Sequence, residues 1–279
     1  MKKHSLQSFI HLIKCFIRKM SADKLDVYSA QSSFFLIMGI IPMLMLMLML
    51  LRFTPLTEKM ILEVLSEFLD KNVMSRVAQI VRTVYHGSVG IVSFATISCL
   101  WLASKAIRAL IDGLNSIRRV RESRNIVILI IRSLIYTAML IVTFVVALAI
   151  LVAGFKVSDL LMEAFPILRR INKGVRSALL LLVGMALMVL IFDLLYVVLP
   201  NGKRSFKSQL PGAVFTTLAW TIYTGIYSIY LSFASNLSVV YGGLASLMGF
   251  MLWLYYCIYI FFFGAEINEW LVYPDSFPF

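Results

Sequence analysis

Six separate stretches of the chain are each long enough and apolar enough to cross a lipid bilayer. An α-helix rises about 1.5 Å per residue, so ~20 apolar residues span the ~30 Å hydrocarbon core of a membrane. The longest stretch, from Val27 to Leu51, contains no charged residue. The sequence therefore predicts an all-α polytopic membrane protein with six transmembrane helices, at about 27–51, 89–111, 126–155, 175–199, 211–234 and 243–265.

Composition supports a single integral membrane domain covering residues 1–279. Hydrophobic residues make up 61% of the chain and charged residues 14%, and a soluble protein could not hide that much apolar surface from water. A transmembrane barrel is excluded because its strands alternate apolar and polar residues, whereas these runs are continuously apolar. Six spans also leave no room for a soluble catalytic domain.

Two segments outside the spans show helical amphipathicity. In the cytoplasmic segment 1–26, Gln7, His11, Lys14 and Arg18 fall on one helical face, opposite an apolar face. In the first external connection, 56–85, apolar residues recur at helical spacing between charged ones. Both patterns are typical of helices that lie in the membrane interface.

Basic residues in the connections set the predicted orientation. Fifteen Lys and Arg fall on the side of the termini and ten on the opposite side. Because cytoplasmic loops are enriched in Lys and Arg, both termini are predicted to be cytoplasmic. The net charge of +12 is assigned to attraction by anionic lipid head groups, and no nucleic-acid partner is predicted.

Polar residues at membrane depth are costly and therefore mark candidate functional positions. With this orientation they gather in the inner half of the bilayer, which predicts a polar cavity or substrate path open to the cytoplasm. The candidate residues are Gln31, Lys105, Arg108, Asp112, Asn115, Arg124, Arg132, Asp193, Glu266 and Asn268.

The alternatives for these residues differ with side-chain length. Lys105, Arg108 and Arg132 have long stems that can reach the interface without any function. Asp193 is short and deep, so it needs a cation, a proton or water; Arg132 is the natural partner, with Lys105 as the alternative. Glu266 fits an anchoring role at the helix end as well as a functional one.

Small residues and one proline indicate helix packing. Ala245 and Gly249 form a small-xxx-small pair, which lets helices approach closely, and Pro42 predicts a kink in the first span. The predicted packing residues are Pro42, Gly242, Gly243, Ala245, Gly249 and Gly264.

No catalytic or cofactor motif is visible in the sequence. The three cysteines and three histidines are isolated from one another, which gives no disulfide framework, redox pair or metal spacing. The chain is therefore predicted not to be an enzyme and to need no cofactor or metal. Nothing in the sequence specifies an oligomeric state.

Several ordered motifs resemble those of the YihY/BrkB family of bacterial inner-membrane proteins, formerly labelled ribonuclease BN. The similarity covers about Asp26 to Trp270. Asp193 does not correspond to any position of the family pattern. The similarity implies a six-span fold and an inner-membrane location, without an agreed activity. Its carriers are the segments 32–42 (SSFFLIMGIIP), 101–104 (WLAS), 113–115 (GLN), 121–124 (RESR), 199–200 (LP), 211–213 (PGA), 241–242 (YG), 252–255 (LWLY) and 264–268 (GAEIN), with Ala30 and Arg132.

The layout of charge favours transport over other functions. A polar pocket in the inner half beneath an apolar outer half could hold a head group while acyl tails stay in lipid. The predicted function is a transporter or flippase-like protein for a lipid or amphipathic compound, with membrane lipids as partners. The alternative is a non-enzymatic scaffold or regulatory protein of the envelope.

Overall fold

A computed structural model describes residues 14–51, 58–68, 74–75, 78–79, 81–82, 89–122, 128, 131–132, 135, 173–202, 204–234 and 243–274. These residues form helices and short connections, with no strand among them. The helices are α1 (14–22), α2 (Leu25–Leu51), α3 (Glu58–Phe68), α4 (Val89–Ile117), α5 (Lys173–Val198), α6 (Phe206–Ala234) and α7 (Gly243–Val272). The prediction of an all-α protein is confirmed for this part of the chain.

Three of these helices are long and apolar enough to cross a membrane, over Leu25–Met45, Ser93–Ile117 and Leu247–Val272. In α5 the apolar helix Gly184–Val198 is shorter. Helix α6 is long enough, but its threonine and tyrosine residues lower its hydropathy and it is not among the three. The predicted span 126–155 lies outside the described residues except for four helical positions.

Three helices extend beyond the ends of the predicted spans. Helix α4 continues to Ile117, α6 begins at Phe206 and α7 continues to Val272. Each extension adds about five to seven residues that include polar side chains, because backbone hydrogen bonding continues where the apolar run stops.

The described chain divides into two compact units. One contains 14–34, 106–122 and the described residues from 177 onward; the other contains 35–51, 58–68, 89–105 and 173–176, with the scattered positions between 74 and 135. Helices α2 and α4 each run through both units. The prediction of one integral domain stays a prediction.

In the second unit, α2 and α4 approach closely at Gly39, where an added Cβ would lie 3.5 Å from Leu102 Cβ. Helix α2 continues through Pro42. Helix α3 carries charged residues between apolar ones, as predicted for the first external connection, and Arg82 Nε lies 3.2 Å from Glu58 Oε1.

Aromatic side chains form much of the core of the first unit. The Tyr196 ring stacks on Phe261 with 4.7 Å between centroids, and Phe192 lies 5.2 Å from Trp220, which joins α5, α6 and α7. Phe16 lies 5.7 Å from Phe263, so α1 packs on α7. The N-terminal helix therefore contacts the last helix of the chain.

Two tight connections position polar groups at one end of this unit. Lys24, with φ 56°, forms the turn between α1 and α2. Arg119, with φ 53°, ends α4: its N–H donates to Ser116 O at 3.0 Å, while Val120 N–H donates to Asn115 O at 3.0 Å. This pair of bonds is a Schellman C-cap, unusual in having arginine at the left-handed position.

Candidate functional site: a buried polar layer

Six helix ends meet in the first unit and bring buried and half-buried polar side chains together. They are the α1–α2 turn, the ends of α4, α5 and α7, and the start of α6. We call this set the polar layer. Its members are Lys19, Asp23, Asn115, Arg118, Glu122, Tyr196, Asn201, Arg204, Gln209, Thr216, Glu266, Asn268 and Glu269.

A buried ion cluster ties α1 to α7. Lys19 Nζ lies 2.8 Å from Asp23 Oδ2 and 2.5 Å from Glu266 Oε2. The Lys19 and Glu266 side chains are 1% and 0% exposed. Lys19 Nζ also lies 3.5 Å from Ile117 O at the end of α4. The cluster holds one ammonium and two carboxyl groups away from water.

Arg118 directly follows α4 and bonds to α5 and α6. Its Nη2 donates to Tyr196 O at 2.6 Å and to Gln209 Oε1 at 3.0 Å, while its Nη1 is buried without a hydrogen bond to the described residues. Burial lowers the pKa of Arg118 to about 10, and repulsion from Arg204 acts in the same direction while Glu269 opposes it. The guanidinium therefore keeps its charge at neutral pH.

Asn115 joins the connections that follow α4 and α5. Its Nδ2 donates to Glu122 Oε2 at 2.7 Å, and its Oδ1 accepts from Asn201 N–H at 2.7 Å. Arg204 contacts the end of α7, with 3.2 Å to Glu269 Oε2 and 2.8 Å to Tyr273 Oη. The connections between helices are thus held by side-chain bonds that include the buried residues Asn115 and Glu269.

Helices α5, α6 and α7 touch at a glycine contact made by Gly212 and Gly264. A Cβ at Gly264 would collide with Thr216 Oγ1, Tyr196 Oη and Gly212 O, and one at Gly212 would collide with Gly264 O and Asn268. Tyr196 Oη donates to Phe261 O at 2.6 Å, and Gly212 N–H donates to Asn268 Oδ1 at 2.6 Å. Close backbone contact lets these buried polar groups reach one another.

Asp193 lies one turn before Tyr196 on the inner face of α5. Its side chain is buried, with 5% of the residue exposed, and its Oδ1 has no hydrogen-bond partner among the described residues. Arg132, its predicted partner, is exposed and belongs to the other unit. Their pairing stays a prediction.

The structure brings together only some of the predicted cavity residues. Asn115, Glu266 and Asn268 lie in the polar layer. Arg108 and Asp112 are half-buried and four residues apart on α4, while Gln31 is exposed. Lys105 is exposed in the second unit, with Nζ 5.8 Å from the Trp101 ring centroid. Arg124 lies outside the described residues.

Two of the predicted packing residues, Gly249 and Gly264, lie at close helix contacts. Gly249 lies where a Cβ would meet Tyr227 Oη on α6 at 3.0 Å, and Gly264 belongs to the glycine contact. Gly243 and Ala245 are helical positions whose burial is not described, and Gly242 lies outside the described residues.

Some of the basic residues outside the predicted spans bond within the protein. Lys19 and Arg118 bond to partners within the protein. The spacing of Lys19 from Asp23, four residues on, was the available sequence signal, because such pairs share a helix face. Their partners on α5, α6 and α7 are distant in sequence and carry no local signal.

Continuously apolar helices around a buried layer of bonded polar groups define an integral membrane protein. The chain belongs to the family described as Virulence factor BrkB, whose model matches residues 16–275. The similarity to this family stated from sequence motifs is confirmed.

Two relatives illustrate the family. The ribonuclease-like protein YfkH of Bacillus subtilis is 31% identical over 90% of this chain and 93% of its own length. The UPF0761 membrane protein PBPRA3489 of Photobacterium profundum is 23% identical over 96% of this chain and 86% of its own length. No solved structure matches the chain.

Proposed function

We propose that this protein moves a lipid or another amphipathic compound across the bacterial cytoplasmic membrane. The observation that carries the proposal is the half-buried Arg118, whose Nη1 atom is itself buried and makes no hydrogen bond to the described residues. A charged donor held away from water with an unused N–H suits the anionic head group of a lipid.

The exterior of the same unit supports a lipid-facing role. Large apolar side chains are exposed along α5 and α6, whereas Lys19, Glu266 and Glu269 are buried in the polar layer. Such an arrangement keeps acyl chains against the outer faces of helices while a head group meets polar atoms within. The substrate would therefore be an amphipathic molecule with a negatively charged head.

A reconstitution assay tests this function. Purified protein is placed in vesicles of phosphatidylethanolamine and phosphatidylglycerol that contain a fluorescent phosphatidylglycerol. Dithionite quenching then measures how fast the fluorescent lipid exchanges between the two leaflets. We expect exchange faster than in protein-free vesicles and a loss of about tenfold or more in Arg118→Gln, since a hydrogen bond to a charged group contributes about 1.5–3 kcal/mol. Arg119→Gln, which removes the adjacent exposed guanidinium, is the matched control.

Exchange no faster than in protein-free vesicles for both anionic and zwitterionic probes would contradict transport. The second candidate, a non-enzymatic scaffold or regulatory protein, would then be favoured. The observation on its side is that much of the polar layer is bonded internally and ties helices together, as for Asn115 and Tyr196. In both cases we propose that the protein is not a ribonuclease or other enzyme.

We also propose six spans with both termini in the cytoplasm, which puts the polar layer at the cytoplasmic end. A cysteine at Ser205, an exposed position before α6, should react only with reagents that reach the cytoplasm, and one at Ser235 only with external reagents. Cys15, Cys99 and Cys257 are buried, so the unmodified chain should label weakly. Reversed labelling would contradict the orientation.

A further inference from the structure

The ion cluster between α1 and α7 has more acids than bases. Lys19 neutralises one negative charge, while Asp23 and Glu266 together supply two when both are ionised. Glu266 Oε1 is buried and has no hydrogen-bond partner in the described part of the chain. An unbalanced charge in this setting is unfavourable, because burial removes the water that would solvate it.

Among the described residues, Lys19 is the one cation that acts on Glu266. Glu266 is acted on by Lys19 from α1 and by Asp23 from the α1–α2 turn. Helix α4 contributes the Ile117 carbonyl, which lies near Lys19 Nζ. On α7 itself, Glu269 is paired with Arg204. The Asp23 and Glu266 carboxyl groups both contact the Lys19 ammonium.

We propose that Asp23 and Glu266 form a buried proton-binding site that holds one exchangeable proton between them. The proton, taken from solvent, cancels the excess negative charge and gives the pair a donor for one oxygen. Lys19 keeps its contacts with both carboxyl groups. This site goes beyond the transport proposal and does not depend on it.

A proton fits this geometry better than a metal ion. Hard cations such as Mg²⁺ and Ca²⁺ require about six or more oxygen ligands, whereas the Lys19 ammonium already occupies Asp23 Oδ2 and Glu266 Oε2. A metal ion beside that ammonium would also experience direct repulsion. Only a group as small as a proton leaves the cluster unchanged.

Loss of the proton would weaken the contact between the N-terminal helix and the last helix. The cluster would then hold a net negative charge at the place where Phe16 packs on Phe263 and Trp270. Proton binding at this site therefore sets how firmly α1 is held on α7.

Infrared spectroscopy of the full-length protein in lipid nanodiscs tests the site. We expect a carboxylic-acid C=O band that persists well above pH 4, where exposed carboxyl groups ionise, and disappears as the pH is raised. The variants are made in an Asp193→Asn background, because Asp193 is another buried carboxyl group with an oxygen that has no partner among the described residues. In that background Glu266→Gln and Asp23→Asn should each abolish the band, since the remaining carboxylate pairs with Lys19. Glu63→Gln, at an exposed carboxyl of α3, should retain it.

Thermal unfolding over the same pH range gives an independent readout. The folded protein keeps a proton that the unfolded chain has released, so its stability falls as the pH rises through deprotonation of the site. The unfolding equilibrium should change by up to about tenfold per pH unit, and both amide variants should lose this dependence.

Three results would overturn the proposal. One is the lack of a protonated carboxyl band above pH 4 in the wild-type protein. Another is a band that survives in both Glu266→Gln and Asp23→Asn when Asp193 is also replaced by Asn. The last is a pH dependence that vanishes when sodium replaces N-methylglucamine, which would assign the site to a metal cation.

Discussion

Lys19→Met is expected to destabilise the folded protein by about 3–5 kcal/mol, the cost of removing one partner from a buried ion pair. The substitution keeps a long apolar side chain but leaves Asp23 and Glu266 facing each other without the ammonium that contacts both. Thermal and denaturant unfolding in nanodiscs would measure the loss, together with the yield of folded protein.

The control and rescue variants separate charge from packing. Lys14→Met changes an exposed lysine of the same helix and should alter stability by less than about 0.5 kcal/mol. Adding Asp23→Asn and Glu266→Gln to Lys19→Met removes the unpaired charges and should recover part of the loss. Equal stability of Lys19→Met and Lys14→Met would contradict the structural role of the cluster.

Gly212→Ala and Gly264→Ala are expected to destabilise the protein by about 1–3 kcal/mol each, through overpacking. The new methyl group at either position meets backbone oxygen on the facing helix, and a backbone cannot rotate away as a flexible side chain can. At Gly264 the methyl group also meets Tyr196 Oη and Thr216 Oγ1, so a shift there would strain the bond between those hydroxyls.

Gly225→Ala provides the matched control for this contact. Gly225 lies on α6, as does Gly212, but an added Cβ would find no atom within 4 Å. Alanine has the higher helix propensity, so this change should be neutral or stabilising by up to about 1 kcal/mol. A similar loss of stability at Gly212 and Gly225 would contradict the explanation by close contact.

The apolar helices could be predicted from sequence because hydrophobic length is a local property. Val27–Leu51 has no charge to interrupt it, and the corresponding helix α2 ends at Leu51 as predicted. The ends of α4 and α7 were placed too early, because hydropathy marks where apolar residues stop and not where helical hydrogen bonding stops. The polar layer includes residues in those unpredicted extensions, such as Asn115 and Glu269.

The candidate site was only partly predictable because its bonds join distant parts of the chain. Glu266 and Asn268 could be selected because they are polar residues at the end of an apolar run. Lys19 could not be distinguished from the other basic residues of the N-terminal segment. Its burial depends on Glu266, which a single sequence does not connect to it. Arg118 was similarly counted as part of a connection, although it contacts α5 and α6.

The Lys19–Glu266 bond also has a consequence for how the protein is made. The two residues are separated by 247 positions, and ribosomes add roughly 5–20 residues per second. Lys19 is therefore synthesised about 10–50 s before its partner exists, and during that time α1 has no α7 on which to dock. A nascent chain halted before Glu266 would keep its N-terminal helix undocked, so closure of this unit must wait until α7 has been synthesised.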